Sequence, residues 1–308
     1  MTESTAKPAV SIVVPVINAA GYLPDLFKAF EGQTLAPAEI ILVDSNSKDR
    51  TREIAGSWPK ARVIPIPEFS HGKARNMGAR EARGEFVVLT TQDALPANPC
   101  WLQNLLAPFD DPRVAAAYSR QVPRPNASPM ERFFLQTHFP PGDSERRARH
   151  PGETLTFARA FFSNVSAAIR RDLLLKYPFD ESLIMSEDQQ VSRDLMNAGY
   201  AVIYAPESIV THSHNYSLRT CFKRYFDSVY SLTQIFPEHG MGTSASMGLS
   251  YLRREAGYVS QNAPLWLPYY ALYTAAKTGG TIAGHFADRL PRWLVRRLSL
   301  HAYHWRRP

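Results

Sequence analysis

The sequence predicts an α/β protein in which a mostly parallel sheet is flanked by helices and followed by a C-terminal helical extension. Three observations predict it. Short β-branched runs alternate with stretches of helical periodicity over the first hundred residues. Two of those runs stop abruptly at polar turns that carry a carboxylate, as strands do at the edge of an open sheet. Beyond residue 237 the expected elements are all helices.

In order, Val10 to Val14 is a β-branched run closed by Pro15 and reads as the first strand. Leu23, Leu26, Phe27 and Phe30 fall on one helical face. Glu39 to Val43 is the second strand; it stops at Asp44, and a polar turn to Asp49 leads into a short helix from about Arg50. Ala61 to Ile66 is a third strand. Gly72 to Ala82 is helical, and its start, with Lys73 and Arg75, suits an anion or is simply a basic helix opening. Glu85 to Thr90 is the fourth strand, ending in Thr91, Gln92 and Asp93, with Pro96 expected to stop further pairing. Parallel connection brings Asp44 and Asp93 to the same sheet edge. Asp93 there suits a divalent cation held against a phosphate; a turn or helix cap is the plainer reading.

The second half is read more coarsely. Trp101 to Phe109 reads as a helix and Val114 to Ser119 as a strand. Proline-rich 123–129 reads as a loop, and 140–154, charged and rich in proline and glycine, as a mobile loop beside the site or a passive insertion. Asn164 to Ile169 looks extended and Arg171 to Lys176 helical. Ser186 with Gln189 predicts a capping box, which sets Glu187 and Asp188 in a first helical turn ended by Gly199. Tyr200 to Ala205 is a strand. His212 and His214 then suit a metal together with a carboxylate, or ordinary surface polar contacts. Leu218 to Phe236 is a long aromatic helix that faces a core. Gly240 to Ser246 reads as a junction between residues 1–236 and a helical, basic region, 237–308.

Composition narrows the function classes. With 308 residues, 44% hydrophobic and 20% charged, the chain suits one large globular domain with an appendage. Two cysteines, Cys100 and Cys221, without metal-ligand spacing suit a reducing compartment. The N-terminus carries no charged-then-apolar leader, so a cytoplasmic protein is expected. The formal charge is +7, and residues 288–308 hold six arginines against Asp288, a net of +5. Interleaved Trp293, Leu294, Val295, Leu298, Tyr303 and Trp305 suit the surface of an anionic membrane. A nucleic-acid patch lacks any accompanying groove-reading motif, and a helix packed on its own domain is the plain alternative. The longest apolar stretch, 263–276, is broken by two prolines and falls short of the ~20 residues a span needs. Neither G-x-G-x-x-G nor G-x-x-x-x-G-K-[ST] follows the first strand, which argues against a dehydrogenase or P-loop hydrolase.

With these residues laid out, positions 10 to 230 resemble the family-2 inverting glycosyltransferases of the GT-A, Rossmann-like fold. The marks are Val14-Pro15, Val43-Asp44-Ser45, Ala74-Arg75-Asn76 before Gly78, Gln92-Asp93, Glu187-Asp188 and His212, in that order. A narrower likeness, in Thr91 to Ala94, Ser186 to Gln190, His212 to Ser217 and Phe222 to Asp227, is to bacterial rhamnosyltransferases of surface-polysaccharide assembly. The resemblance implies a donor half at about 10–96 and an acceptor half at about 97–236. It implies that Asp44 reads a pyrimidine imide, with Pro15, Val16 and Ser45 lining the base and ribose. Lys73, Arg75, Asn76 and Gln92 would lie by the donor, and Asp93, His212 and His214 would hold Mg2+ or Mn2+. Asp188, beside Glu187, would be the general base, its pKa depressed by the helix N-terminus. Thr91 stands where the family's first metal acid is usual.

The partners so implied are dTDP-β-L-rhamnose, a lipid-linked glycan acceptor and the inner face of the bacterial cytoplasmic membrane; nucleic acid is not among them, and a homodimer is left open. A UDP-hexose donor, or a non-catalytic nucleotide-sugar-binding membrane protein, is the alternative. A nucleotidyltransferase fits badly, because Pro15 to Gly21 offers no glycine-rich basic loop.

Overall fold

The computed structural model describes residues 9–237 and 241–306. They form one nine-stranded sheet. The strands are β1 (Val10–Val16), β2 (Glu39–Asp44), β3 (Ala61–Pro65), β4 (Phe86–Thr90), β5 (Leu95–Pro96), β6 (Val114–Val122), β7 (Glu145–Ala148), β8 (Ser166–Arg170) and β9 (Ala201–Thr211). Their order is β3-β2-β1-β4-β8-β6-β9-β5, with β7 also pairing with β9. β3, β2, β1 and β4 are mutually parallel, as alternating strands and helices require. β8 runs antiparallel to both β4 and β6, and β6 is parallel to β9.

Helices cover both faces: α1 (Leu23–Glu31), α2 (Thr51–Gly56), α3 (His71–Glu81), α4 (Trp101–Leu106), α5 (Pro129–His138), α6 (Arg171–Lys176), α7 (Glu187–Asn197) and α8 (Leu218–Ile235). The period-2 alternation of β1 sorts its side chains. Val10, Ile12 and Val14 meet Leu23, Phe27 and Trp101 of α1 and α4 on one face. Val13 joins Ile41, Val43, Ala74 and Val191 on the other. Each such side chain contributes roughly 1.5–3 kcal/mol by leaving water. Gly78 is required where α3 crosses β1, because a Cβ there would overlap Val13.

Several elements differ from expectation. β1 continues through Pro15 to Val16; its pairing with β4 ends at Val13, so one neighbour has already left where Pro15 sits. Pro96 does not end pairing, since Leu95 and Pro96 add a two-residue edge strand beside β9. The segment 140–154 is not a featureless loop: β7 pairs antiparallel with β9, and Arg147 donates to Phe161 O at 2.9 Å. β9 is eleven residues long, and a register shift opposite Ser119/Arg120 carries it past Pro206 to Thr211. α5 was not anticipated. It is capped by Ser128, whose hydroxyl accepts from Glu131 N at 3.3 Å, with Pro129 opening the helix.

Ser186 makes no capping box. It adopts a left-handed conformation (φ 65°) with no side-chain cap bond, and Gln189 reaches Phe162 O at 2.7 Å instead. Gly199, at φ 91°, follows α7 as expected.

The C-terminal helices are α9 (Met241–Asn262), α10 (Leu267–His285) and α11 (Arg292–Leu298). The expected junction is partly helical, since 241–246 open α9, and Gly240 lies outside the described residues. α10 packs on α8 through Gly280 and Gly284, where an added Cβ would run into Phe222 O and Phe226 O. Asp227 on α8 accepts from Leu300 N (2.8 Å) and His301 N (3.1 Å), and Lys223 donates to Ser299 O at 3.0 Å. Val295 is buried, and Trp305 packs 4.7 Å from the Tyr230 ring. The basic tail is thus strapped to the domain along one side, while Trp293 remains 68% exposed on the other. No helix among the described residues is long and apolar enough to cross a membrane.

Candidate active site

Strand direction gathers the chemistry. β1, β2, β4, β6 and β9 run one way and β8 the other, so the C-terminal ends of the first five and the start of β8 share one edge. Asp44, Gln92, Asp93, Gln121, His212 and Asn164 all lie along it. It is the edge at which open α/β sheets bind ligands.

At the β1–β2 end the loops are locked to each other. Ser45 N donates to Val16 O at 2.9 Å, and Pro15 lies opposite Val43 in the register. The amides of Asn18, Ala19 and Ala20 donate to Ser47, Thr51 and Asp49. Asp44 is fully buried and accepts from Ser47 Oγ at 2.5 Å and Arg52 Nε at 2.6 Å. Burial alone would raise its carboxyl, but these bonds outweigh it and hold the pKa below the usual aspartate range. Gln92 joins the next strand to this group: its side chain accepts from Ile17 N at 2.9 Å and donates to Ile17 O at 3.2 Å.

Between β4 and β9 stands a trio of ligand-type groups. Asp93 Oδ2 lies 3.7 Å from His212 Nε2 and 3.5 Å from His214 Nε2. One ligand atom from each residue lies within 4.8 Å of the others. His212 Nδ1 faces Gln121 Oε1 at 2.9 Å, so Nδ1–H donates to the amide oxygen and the Nε2 lone pair is left toward Asp93. Burial drives both imidazoles toward the neutral form, His212 down to about 3. Two neutral imidazoles and a carboxylate suit a divalent cation chemically, and the outer-shell Gln121 is in place. Arg124 and Glu131 brace the loop. Arg124 donates to Asp93 O and Ser213 O, and Glu131 accepts from His214 N at 3.0 Å.

The second acidic centre opens α7. Glu187 is buried and pairs with Arg75 at 2.8 Å. Desolvation would raise the Glu187 carboxyl, but the Arg75 and His71 charges and its hydrogen bonds together outweigh that and hold it below the usual glutamate range. Asp188 has no such cation of its own. Desolvation, then the Glu187 charge, push it up to about 7, the reverse of the depression expected from a helix N-terminus. Its carboxylate accepts from Asn164 N at 3.3 Å and Gln189 N at 2.9 Å. The Asn164 side chain is 2% exposed; it lies near enough to Glu187 to lower that carboxyl, yet neither amide atom makes a hydrogen bond of good geometry.

The α3 residues are distributed differently from what the sequence suggested. Arg75 belongs to the acid pair. Asn76 clamps Phe179 through its N and O (2.8 and 3.0 Å) and also reaches Glu181, so its amide is spent on the protein. Lys73 lies 3.5 Å from Glu68. Gly72, in the first turn, packs against Asp180, whose O lies 2.8 Å from where a Cβ would stand, and the Lys73 amide is already capped by Ser70 Oγ. Gln121, Arg124, Glu131 and Asn164 were not anticipated. Only Glu131 carries a readable signal, the Ser128-x-x-Glu131 box; the others depend on strand pairing between distant segments.

Residues 11–177 match the family described as glycosyl transferase family 2. Two relatives align with nearly the whole chain. The O-antigen chain rhamnosyltransferase RfbN of Salmonella typhimurium is 31% identical over 96% of this chain and 96% of its own. WbaN of Salmonella anatum, of the same description, is 32% identical over 97% and 96%. In fold, the chain is similar to the mannosyltransferase PcManGT of Pyrobaculum calidifontis, solved with GDP-Man and Mn2+. The TM-score is 0.62 at 21% identity, covering 92% of this chain and 88% of that one. This chain belongs to glycosyl transferase family 2 and has the GT-A architecture. It is a glycosyltransferase whose relatives over nearly its full length are O-antigen rhamnosyltransferases.

Proposed function

We propose that the chain transfers L-rhamnose from dTDP-β-L-rhamnose to a lipid-linked glycan, with inversion, in one displacement. The observation that carries the reading is the pairing, on one molecule, of the Asp93–His212–His214 trio with an aspartate poised near neutrality, Asp188. The donor sugar rests on the two named relatives.

Asp93, His212 and His214 would hold a divalent cation, which when bound would supply Lewis-acid charge for the nucleoside diphosphate leaving group. Asp44, fixed in its ionised form, would accept an imide N–H of a thymine or uracil once the half-exposed Arg52 side chain that covers Oδ2 swings aside. Pro15, Val16 and Ser45 form the adjoining wall, and Gln92 ties it to Asp93. Asp188 takes the acceptor hydroxyl proton as the oxygen attacks the anomeric carbon. A base near pH 7 is matched to that task, and the Arg75–Glu187 pair keeps the neighbouring acid from competing for the proton. The buried Asn164 amide beside it offers a partner for the incoming hydroxyl.

The C-terminal region supports docking on the cytoplasmic membrane face. Arg292, Trp293, Arg296 and Arg297 are exposed together on α11. A thermal-shift panel of nucleotide sugars with and without Mg2+ or Mn2+ tests the donor. A true donor at ~100 times its dissociation constant adds ~2.7 kcal/mol. A metal-dependent shift with dTDP-rhamnose is the expected result, and a shift with UDP-hexoses alone removes the rhamnosyl assignment.

A further inference from the structure

The sequence His212 to Ser217 runs past the trio into a groove that the reaction as described does not use. Its cavity is about 590 Å³, within the range of ligand sites, and it lies between the 215–217 loop, the start of α5 and the start of α10. Tyr216, Trp266 and Tyr269 line it with Met130 and Leu265. Among the described residues no charged side chain lines it. The polar groups are Ser128, Asn215 and Ser217. Ser217 is engaged twice by Thr220, through its N and its Oγ1, but the other two are only partly used by the protein. Ser128 Oγ accepts from Glu131 N and keeps its own O–H, while Asn215 makes one bond from Nδ2 and one to Oδ1.

We infer that this groove binds the neutral sugar residues of the acceptor, a reading that rests on the proposed transfer reaction. Three observations favour a carbohydrate. Trp266 and Tyr269 offer apolar area to the C–H face of a pyranose at little entropic cost, whereas Tyr216 is already held by His214 and Arg224. Unsaturated amide and hydroxyl groups meet its hydroxyls at the rim. The absence of charge disfavours a diphosphate or nucleotide, which the trio and the Asp44 loops suit instead. The groove adjoins the trio, because the Tyr216 ring that lines it stacks on His214 at 5.2 Å. A sugar seated there lies next to the leaving diphosphate. Leu265, 94% exposed at the rim, has room to follow the chain toward a lipid.

The test uses the full chain and saturation-transfer NMR with neutral methyl glycosides of common hexoses and 6-deoxyhexoses, and with octyl glucoside. Trp266→Ala and Tyr269→Ala are the variants; Trp266 is 41% exposed, so its removal leaves the fold intact. The expected result is millimolar glycoside binding to the wild type, reduced at least several-fold in both variants. Thermal shift by dTDP-rhamnose is unchanged in them. Equal binding to wild type and variants, or no glycoside binding, overturns the inference. Binding of octyl glucoside alone also overturns it, since the groove then takes an alkyl chain. Displacement of the glycoside by dTDP-rhamnose overturns it in favour of a donor-sugar pocket. Failure of the wild type to respond to any nucleotide sugar defeats the transfer reading separately, because glycoside binding is read without a donor.

Discussion

Asp44 and Asp188 are both aspartates withdrawn from water, and they are tuned in opposite directions. Asp44 is surrounded by donors within eight positions of itself, Ser47 and Arg52, and stays ionised below its usual range. Asp188 is surrounded by segments that arrive from far away: Asn164 from the start of β8, and Glu187 fixed by Arg75 from α3. The charge that acts on it most strongly, that of Glu187, is negative, and it is held near neutrality. Fixed binding groups are made cheaply by a turn that bonds to itself. A titratable base needs desolvation and a like charge, and only tertiary packing supplies those.

The largest test of this contrast is Asp188→Asn. Transfer should fall by roughly 10²–10⁴-fold, the usual worth of a positioned base, while metal-dependent donor binding survives. Radiolabelled transfer and donor calorimetry report the two separately; joint loss would make Asp188 structural. Next comes the comparison of partners. Arg75→Ala strands a buried Glu187 and should cost ~3–5 kcal/mol in urea unfolding. Arg52→Ala removes a half-exposed guanidinium from Asp44 and should cost at most ~1 kcal/mol. Similar costs would erase the distinction between the two sites.

Gln121→Leu releases the His212 ring proton and should weaken Mn2+ affinity about 10–100-fold, read by Mn2+ electron paramagnetic resonance. The pH dependence sharpens the contrast further. As the proposed base, Asp188 would have to be deprotonated to act, so kcat/KM should rise through about pH 7. Its folded pKa is raised, so its contribution to stability is full below the ordinary value of 3.8 and is lost as pH rises through about 7. Asp44 has the opposite sign: its contribution is present above 3.8 and is lost as pH falls through the lowered folded value. Asp188→Asn should therefore flatten the loss of melting temperature on the way up to neutrality, and Asp44→Asn the loss on acidification. The smallest effect belongs to α11. Arg292→Gln, Arg296→Gln and Arg297→Gln together should weaken flotation with anionic vesicles, by about 1 kcal/mol per charge at moderate salt. Unchanged flotation would leave the tail a purely structural strap on α8.

Much was legible without coordinates where the determining interactions are local. The β-branched runs of β1, β2 and β4 and the Leu23–Phe30 face fix elements by periodicity, and parallel connection then places Asp44 and Asp93 on one edge. Pairing across distance defeated the same reasoning. The segment 145–148 carries no strand pattern of its own and becomes β7 because β9 presents a free edge. Ser186 has the sequence of a cap, but Gln189 is drawn away to Phe162 and the box never closes. Asn76, placed beside the donor by its motif, is consumed by Phe179.

By itself, then, the sequence determined the fold class, the polar turn after Asp44 and the placing of Asp44 and Asp93 on one sheet edge, because each follows from residues close in sequence or from strand direction. Tertiary structure decided the rest. Gln121 sets the His212 tautomer across neighbouring strands, α8 straps down the tail, and Arg75 selects which of two adjacent acids remains free to take a proton. The reason is electrostatic: a carboxyl's proton affinity depends on how much water and which charges surround it, and a folded chain sets both with residues more than a hundred positions apart.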